Sequence, residues 1–309
     1  MRRRAGPGLK PGPALFICAG RRHSVPMTRF THFACVDWSG AKGSSHRGIA
    51  LAVCTAGHAA PVLIDPPGKA WSRQGIVDWL LSQHDDLLVG FDFSFAPPRM
   101  ERGEYLPGDP TPDNARAFWS YVDALCDDED LGAASFLEQH HRRHFYFGKA
   151  DGRKSDYMHL RMCEARYNAG GGGKPSTVYD AIGAAQVAKA SFAGMRALHL
   201  VSPHLPIWPF DPIPSCGPVV IEIYTQIAAR ASGLRKGRSK VRDAGGLDNS
   251  LASFGCEPHH PLTRYIDHAT DVIITAAWLR HVAENHAFWA PPTLNREIAA
   301  TEGWTFGVV

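Results

Sequence analysis

The chain has no apolar run approaching the roughly 20 residues that cross a bilayer, so the sequence points to a soluble, cytoplasmic protein with no membrane partner. It has no CxxC pair either. Its seven cysteines are odd in number and scattered, which argues against a disulfide framework or a zinc ribbon and for reduced, core-packed thiols. The sixteen histidines include no HExxH. The densest group, His140, His141 and His144, is interleaved with Arg142 and Arg143 and reads as cationic surface rather than as a zinc site. There is no strong charge imbalance: a net charge of +3 is too small to argue for nucleic acid by itself, and an acidic substrate would have to be met by local basic patches. No repeat of solenoid period is visible. A Walker A loop is missing too, although GGGGKPST (170–177) resembles one. Counting back from Lys174, its first glycine falls on Asn168, and Pro175 replaces the metal-binding Ser or Thr. That run reads as a flexible loop, with Lys174 near a helix start where it can still meet a phosphate.

What is present is enough for a sizeable core: 309 residues, 44% of them hydrophobic, fit one large domain or a core domain carrying an insertion. Residues 1–26 differ from the rest. They are Arg-rich, and their short apolar patch is broken by Pro and Gly upstream and followed by Arg21 and Arg22. This is a poor signal peptide and is expected to be a disordered extension or a start codon placed too early, Met27 being the true start. Residues 27–309 are expected to form one domain. Strand-like runs occur at HFACVDWS, GIALAVCTA and APVLID, with a hairpin-like break at Gly57. A helix capped by Ser72 follows, then a fourth strand at DLLVGFDFSF that stops before Pro97. Residues from about 100 to 215 read as a helical insertion, with stretches at 114–126 and 179–200. A fifth strand is expected at GPVVIEIYT, a helix from Gln226, the apolar helix 265–283, and a short terminal strand at GWTFGV.

Four aspartates fall at telling places in this order. Asp37 and Asp92 sit at the ends of the first and fourth strand-like runs. Asp267 and Asp271 open the most apolar helix, four residues apart and so on one face, which continues through Ile274 and Trp278. Singly, each has an ordinary explanation as a turn residue or a first-turn acid complementing the helix dipole. Together, carboxylates on buried-type elements distant in sequence are the kind of set that binds a hard divalent cation.

The order of three strands, a helix, a fourth strand, helices, a fifth strand and a final helix resembles the ribonuclease-H-like fold. More closely, the chain resembles the domain-of-unknown-function family 429, whose members are expected to be nucleases of that fold. The residues that carry the likeness are VDWSGA (36–41), GFDFSFAPP (90–98), VIEIYT (220–225) and DHATDVIITAAWL (267–279), with RMCEARYN (161–168) and KPSTVYDAIGAAQV (174–187) adding to it. The resemblance covers roughly residues 30–309. It implies an α/β fold with a mixed five-stranded sheet flanked by helices, and a helical insertion between strands four and five.

It also implies a site. Phosphodiester hydrolysis needs an activated water and a partner for the charge on the leaving oxygen, which two cations bridged by carboxylates supply. Mg²⁺ or Mn²⁺ needs only oxygen ligands and keeps several waters. Asp37 is then the bridging ligand, Asp92 and Asp271 hold one ion each, and Asp267 is an auxiliary ligand or proton shuttle. Glu222, mid-strand, is either a further metal ligand or the partner of an arginine. Lys240 and Arg242, just before the acidic helix, are candidates for holding the scissile strand of DNA or RNA. Arg142 and Arg143, followed by Phe145, Tyr146 and Phe147, suit either stacking on bases or a solvated turn leading into core aromatics. The leading expectation is a metal-dependent nuclease. Two alternatives stand beside it: a fold relative that binds nucleic acid or protein without cutting, and a phosphotransferase of the actin and sugar-kinase group. The latter normally needs a second copy of the fold, and no second VDWSG-like strand is found.

Overall fold

A computed structural model describes residues 29–173, 175–183, 187–235 and 240–309. The N-terminal extension and Lys174 lie outside the described residues. The elements run β1 (His32–Asp37), β2 (Ala50–Thr55), β3 (Val62–Leu63), α1 (Arg73–Leu81), β4 (Leu87–Asp92), α2 (Ala115–Leu125), α3 (Met162–Ala169), α4 (Val187–Val201), β5 (Ile207–Trp208), β6 (Val219–Glu222), α5 (Thr225–Ala231), α6 (Ala244–Ala252), α7 (Asp267–Val282), α8 (His286–Trp289) and α9 (Arg296–Thr301). The architecture is α/β: a mixed sheet in the order β3-β2-β1-β4-β6-β5, flanked by helices.

β1 and β2 pair antiparallel, as do β2 and β3, whereas β1 with β4, β4 with β6 and β6 with β5 pair parallel. Strand alternation divides the core. Ala34, Val36, Val89 and Val220 pack on one face with Ile76 and Leu80 of α1, Phe118 of α2 and Phe192 of α4. Phe33, Cys35, Leu88 and Ile221 pack on the other with Ala228 of α5, Leu251 of α6 and Ile273 and Ala277 of α7. Helix starts follow local chemistry: the Ser72 and Asn114 side chains accept from Gly75 N and Ala117 N, satisfying otherwise orphaned donors.

Three expectations need correction. The sheet has six strands rather than five. The additional β5 is two residues long, too short to leave an alternation signal, and lies inside the segment read as a helical insertion. The stretch expected to form a terminal strand contributes a single bridge, Thr305 to Glu222. In the stretch 179–200, the described helix begins at Val187. The cysteines among the described residues are all free. Among the described residues, no helix is long and apolar enough to cross a membrane.

Candidate functional site

The parallel register of β1 and β4 sets Asp37 directly beside Asp92, each the last residue of its strand. Neither strand can turn its acid away without inverting the side chains that fill both cores. Asp92 is partly buried and anchored by the first residue of α5: Thr225 Oγ1 donates to Oδ2 at 2.8 Å and Thr225 N to Oδ1 at 3.4 Å. Burial, and next the charge of Asp37, push the Asp92 carboxyl up to about 7. Two adjacent carboxylates in a poorly solvated place cannot both ionise freely without a cation.

α7 crosses this end of the sheet and brings its first turn over the pair. His268 Nδ1 lies 2.6 Å from Asp37 Oδ2, and this bond raises the imidazole's affinity for a proton. His268 was not among the residues singled out from the sequence. No local pattern marks it, because its partner Asp37 lies 231 residues away. Asp267 and Asp271 sit outside this inner group and are already neutralised. Lys240 Nζ lies 3.1 Å from Asp267 and 3.3 Å from Asp271, and Arg242 pairs with Asp267. Burial raises the Asp271 carboxyl's pKa despite Lys240, and Asp37 adds to the shift. Burial opposes the charge on Lys240, yet Asp271 and Asp267 outweigh it. The two basic residues thus reach the acidic helix, and in this structure they spend their charge on it.

Glu222 ends β6, the next parallel strand, but is fully engaged. Arg161 grips it at both oxygens, at 2.7 and 2.5 Å, Phe95 N donates to Oε2 at 2.7 Å, and Thr305 Oγ1 donates to Oε1 at 2.5 Å. Two donors per oxygen leave no lone pair for an ion, so of the two roles open to it the structure gives it the arginine partner and not the metal ligand. Arg161, 1% exposed, also holds Glu164 at 2.9 Å and Ser94 Oγ at 3.2 Å. This buried knot joins α3, β6 and the segment leaving β4.

The segment after β1 forms a wall of the site. Arg73, wholly buried, donates to the carbonyls of Ser39 at 2.8 Å, Ala41 at 2.5 Å and Asp130 at 2.8 Å, and burial lowers its pKa to about 10. Gly40 packs so closely that a Cβ there would stand 2.2 Å from Ala190 N in α4. The result is a cleft of about 450 Å³ lined by Asp37, Asp92, His268, Trp38, Tyr167 and Tyr224, among others.

Arg142 and Arg143 do not line this cleft. Arg142 pairs with Asp151 at 2.7 Å and lies 4.2 Å from the Phe147 ring centre, and Arg143 pairs with Asp109. Phe145 and Tyr146 are buried, so they serve the core and not stacking on bases. His141 and His144 are likewise buried, with Asp109 between them, which corrects their reading as cationic surface. Spacing concealed this, because Asp109 is 32 residues upstream of His141 and carries no motif. No family model, curated protein or solved structure matches this chain.

Proposed function

We propose that the cleft hydrolyses phosphodiester bonds in nucleic acid, with Mg²⁺ or Mn²⁺ as cofactor, in the manner of the ribonuclease-H-like nucleases that the sequence resembles. The observation that carries this reading is the in-register placement of Asp37 and Asp92 at the carboxyl ends of adjacent parallel strands, under a helix that adds Asp271. Ligand sites of open α/β sheets collect at such strand ends. The sixth strand lies at the far edge beyond β6, away from Asp37, and leaves this arrangement intact.

The residues fit the cation. Asp37 and Asp92 would hold it, and Asp271 is close enough that its charge bears on Asp92. The cost of placing these acids together, visible in the raised Asp92 pKa, is what a divalent ion relieves. When bound, the ion would supply an activated water and a partner for the leaving oxygen's charge. Thr225 fixes the rotamer of Asp92 through its two bonds. His268, hydrogen-bonded to Asp37 and lining the cleft, is placed to take or return a proton. Lys240 and Arg242, about half exposed, would exchange their acids for phosphate oxygens as a strand binds. A cleft of about 450 Å³ has room for the reacting group of a substrate.

Cleavage assays on single strands, duplexes, hybrids and branched substrates in Mg²⁺ and Mn²⁺ test the reading. Asp37→Asn and Asp271→Asn should abolish cutting while the protein stays folded. Joint replacement of Lys240 and Arg242 by Ala should weaken binding and flatten its salt dependence, since phosphate contacts release counterions. If the wild-type chain binds nucleic acid without cutting and Asp37→Asn binds equally well, the protein is a binding module. Absence of both binding and cutting on every substrate removes nucleic acid from consideration.

A further inference from the structure

A second polar cluster sits in the segment between β4 and β5, apart from the Asp37 cleft. The chain there makes a π-helical turn at Phe136–His140 and then a 3-10 turn at Arg142–His144, with His141 N bonded to Phe136 O at 3.0 Å and His144 N to His141 O at 3.0 Å. A 3-10 turn has three residues per turn, so positions i and i+3 stand one above the other. His141 and His144 are such a pair, and both are buried, at 6% and 9% exposure. They converge on one atom: His141 Nδ1 and His144 Nε2 each lie 2.8 Å from Asp109 Oδ2. All three candidate ligand atoms lie within 4.8 Å of one another.

Hydrogen bonding alone does not account well for this arrangement. His144 Nε2 faces an acceptor, Asp109 Oδ2, at 2.8 Å and a donor, Arg143 Nε, at 3.2 Å. One nitrogen cannot both carry a proton for the carboxylate and offer a lone pair to the guanidinium. A cation between Nε2 and Oδ2 would use both the lone pair and the carboxylate, with Arg143 released to solvent. His141 is prepared in the way metal-bound histidines are: its remote Nε2 lies 3.0 Å from Tyr121 Oη, and its ring packs on Phe136 with centres 4.5 Å apart. Such an outer hydrogen bond fixes the ring orientation and tautomer of a ligand.

We propose that Asp109, His141 and His144 form a binding site for a divalent transition metal of the zinc class. Two imidazoles and one carboxylate make a borderline donor set, which suits Zn²⁺ or Co²⁺ and not the all-oxygen preference of Mg²⁺. Bonds of about 2.0–2.1 Å put neighbouring ligand atoms roughly 3.3 Å apart, so the cluster must widen by about half an ångström from its 2.8 Å contacts, a small step for a loop aspartate. Arg143, 61% exposed at its side chain, balances Asp109 now and can turn outward once the ion carries that charge. An ion also has a way in: His144 borders a second pocket of about 260 Å³, shared with Arg102, Tyr157 and His159, which gives room for a water as fourth ligand.

The site is independent of the proposed nuclease chemistry, and its test is binding. The full chain, stripped with EDTA and desalted, is titrated with Zn²⁺ by calorimetry and with Co²⁺ by visible absorption. Asp37→Asn, in which the cleft's own cation set is broken, should bind one equivalent of Zn²⁺ and show tetrahedral Co²⁺ bands that millimolar Mg²⁺ does not abolish, and wild type should show the same bands. Asp109→Asn and His144→Gln should lose about 100-fold or more in Zn²⁺ affinity. Should either fail to fold by circular dichroism, Tyr121→Phe keeps the ligands and removes only the outer bond, and it should weaken Zn²⁺ about tenfold. The proposal is overturned if wild type binds no Zn²⁺, or if all variants bind it as tightly as wild type, as scattered surface histidines would produce.

Discussion

The Asp92 carboxyl shows how a single residue's surroundings are recorded in stability. Its folded-state pKa of about 7 lies above the ordinary value of 3.8, so the folded protein holds this proton more tightly than the unfolded chain does. The sign follows: the contribution favours folding at pH below about 4, is lost progressively as pH rises from there to about 7, and stays lost above that. Each tenfold change in proton affinity is about 1.4 kcal/mol, so the loss is on the order of 2–4 kcal/mol. Denaturant unfolding of chelator-treated wild type and Asp92→Asn at pH 4.5 and pH 8 should show the wild type falling behind the variant as pH rises. A constant difference would mean that Asp92 ionises as freely as a surface acid. This residue and Asp37 were legible in sequence because an acid ending a continuous apolar run stands out. His268, Arg161 and Asp109 were not, because their meaning depends on partners: Asp37 is 231 residues from His268, and Glu222 is 61 from Arg161. Glu222 was legible as buried, but only the arrival of Arg161 decides between ligand and ion pair.

The elements were legible in proportion to their periodicity. β1, β4 and β6 announce themselves as apolar runs, α7 as the most apolar helical stretch, and α1 through its capping Ser72. The two-residue β5 and the π and 3-10 turns at 136–144 carry no period long enough to detect. The loop after β1 is a different case, because its glycine is legible while the reason for it lies in another element. Gly40 has no room for a side chain: its added Cβ would meet the Ala190 nitrogen at 2.2 Å and the Lys189 carbonyl carbon at 2.3 Å. These are backbone atoms of α4 and cannot rotate aside. Gly40→Ala must therefore push the loop off the helix, against the two bonds from Arg73 to the Ser39 and Ala41 carbonyls. It should cost about 1–3 kcal/mol, as overpacking does, and should weaken substrate binding because Ser39 and Ala41 border the cleft. Stability and affinity measured together check this. A variant as stable as wild type would show that α4 does not hold the loop.

At the scale of the whole molecule, the cleft draws Asp37 from β1, Asp92 from β4 and His268 from α7, with Thr225 of α5 holding Asp92, so the set exists only when the sheet and its covering helix are assembled. An ion that needs them all has no comparable site on the unfolded chain, and its binding free energy becomes folding free energy. At an ion concentration ten times its dissociation constant, the gain is about 1.4 kcal/mol, which for a chain of this size raises the melting temperature by roughly 3 °C. Mg²⁺ and Mn²⁺ should each produce such a rise in the wild-type protein, with Ca²⁺ stabilising as well but supporting little turnover because its looser coordination fits in-line attack poorly. The rise should be larger at pH 8 than at pH 6, because below about pH 7 the ion must displace the Asp92 proton. Asp37→Asn should abolish it, whereas Asp109→Asn should leave it intact, and the Zn²⁺ response that persists in Asp37→Asn should vanish when Asp109→Asn is added. This crossed pattern separates two metal sites from one. If Mg²⁺ and Mn²⁺ at ten millimolar leave the melting temperature unmoved at pH 8, the carboxylates of the cleft do not hold a cation, and the nuclease reading loses its chemical basis.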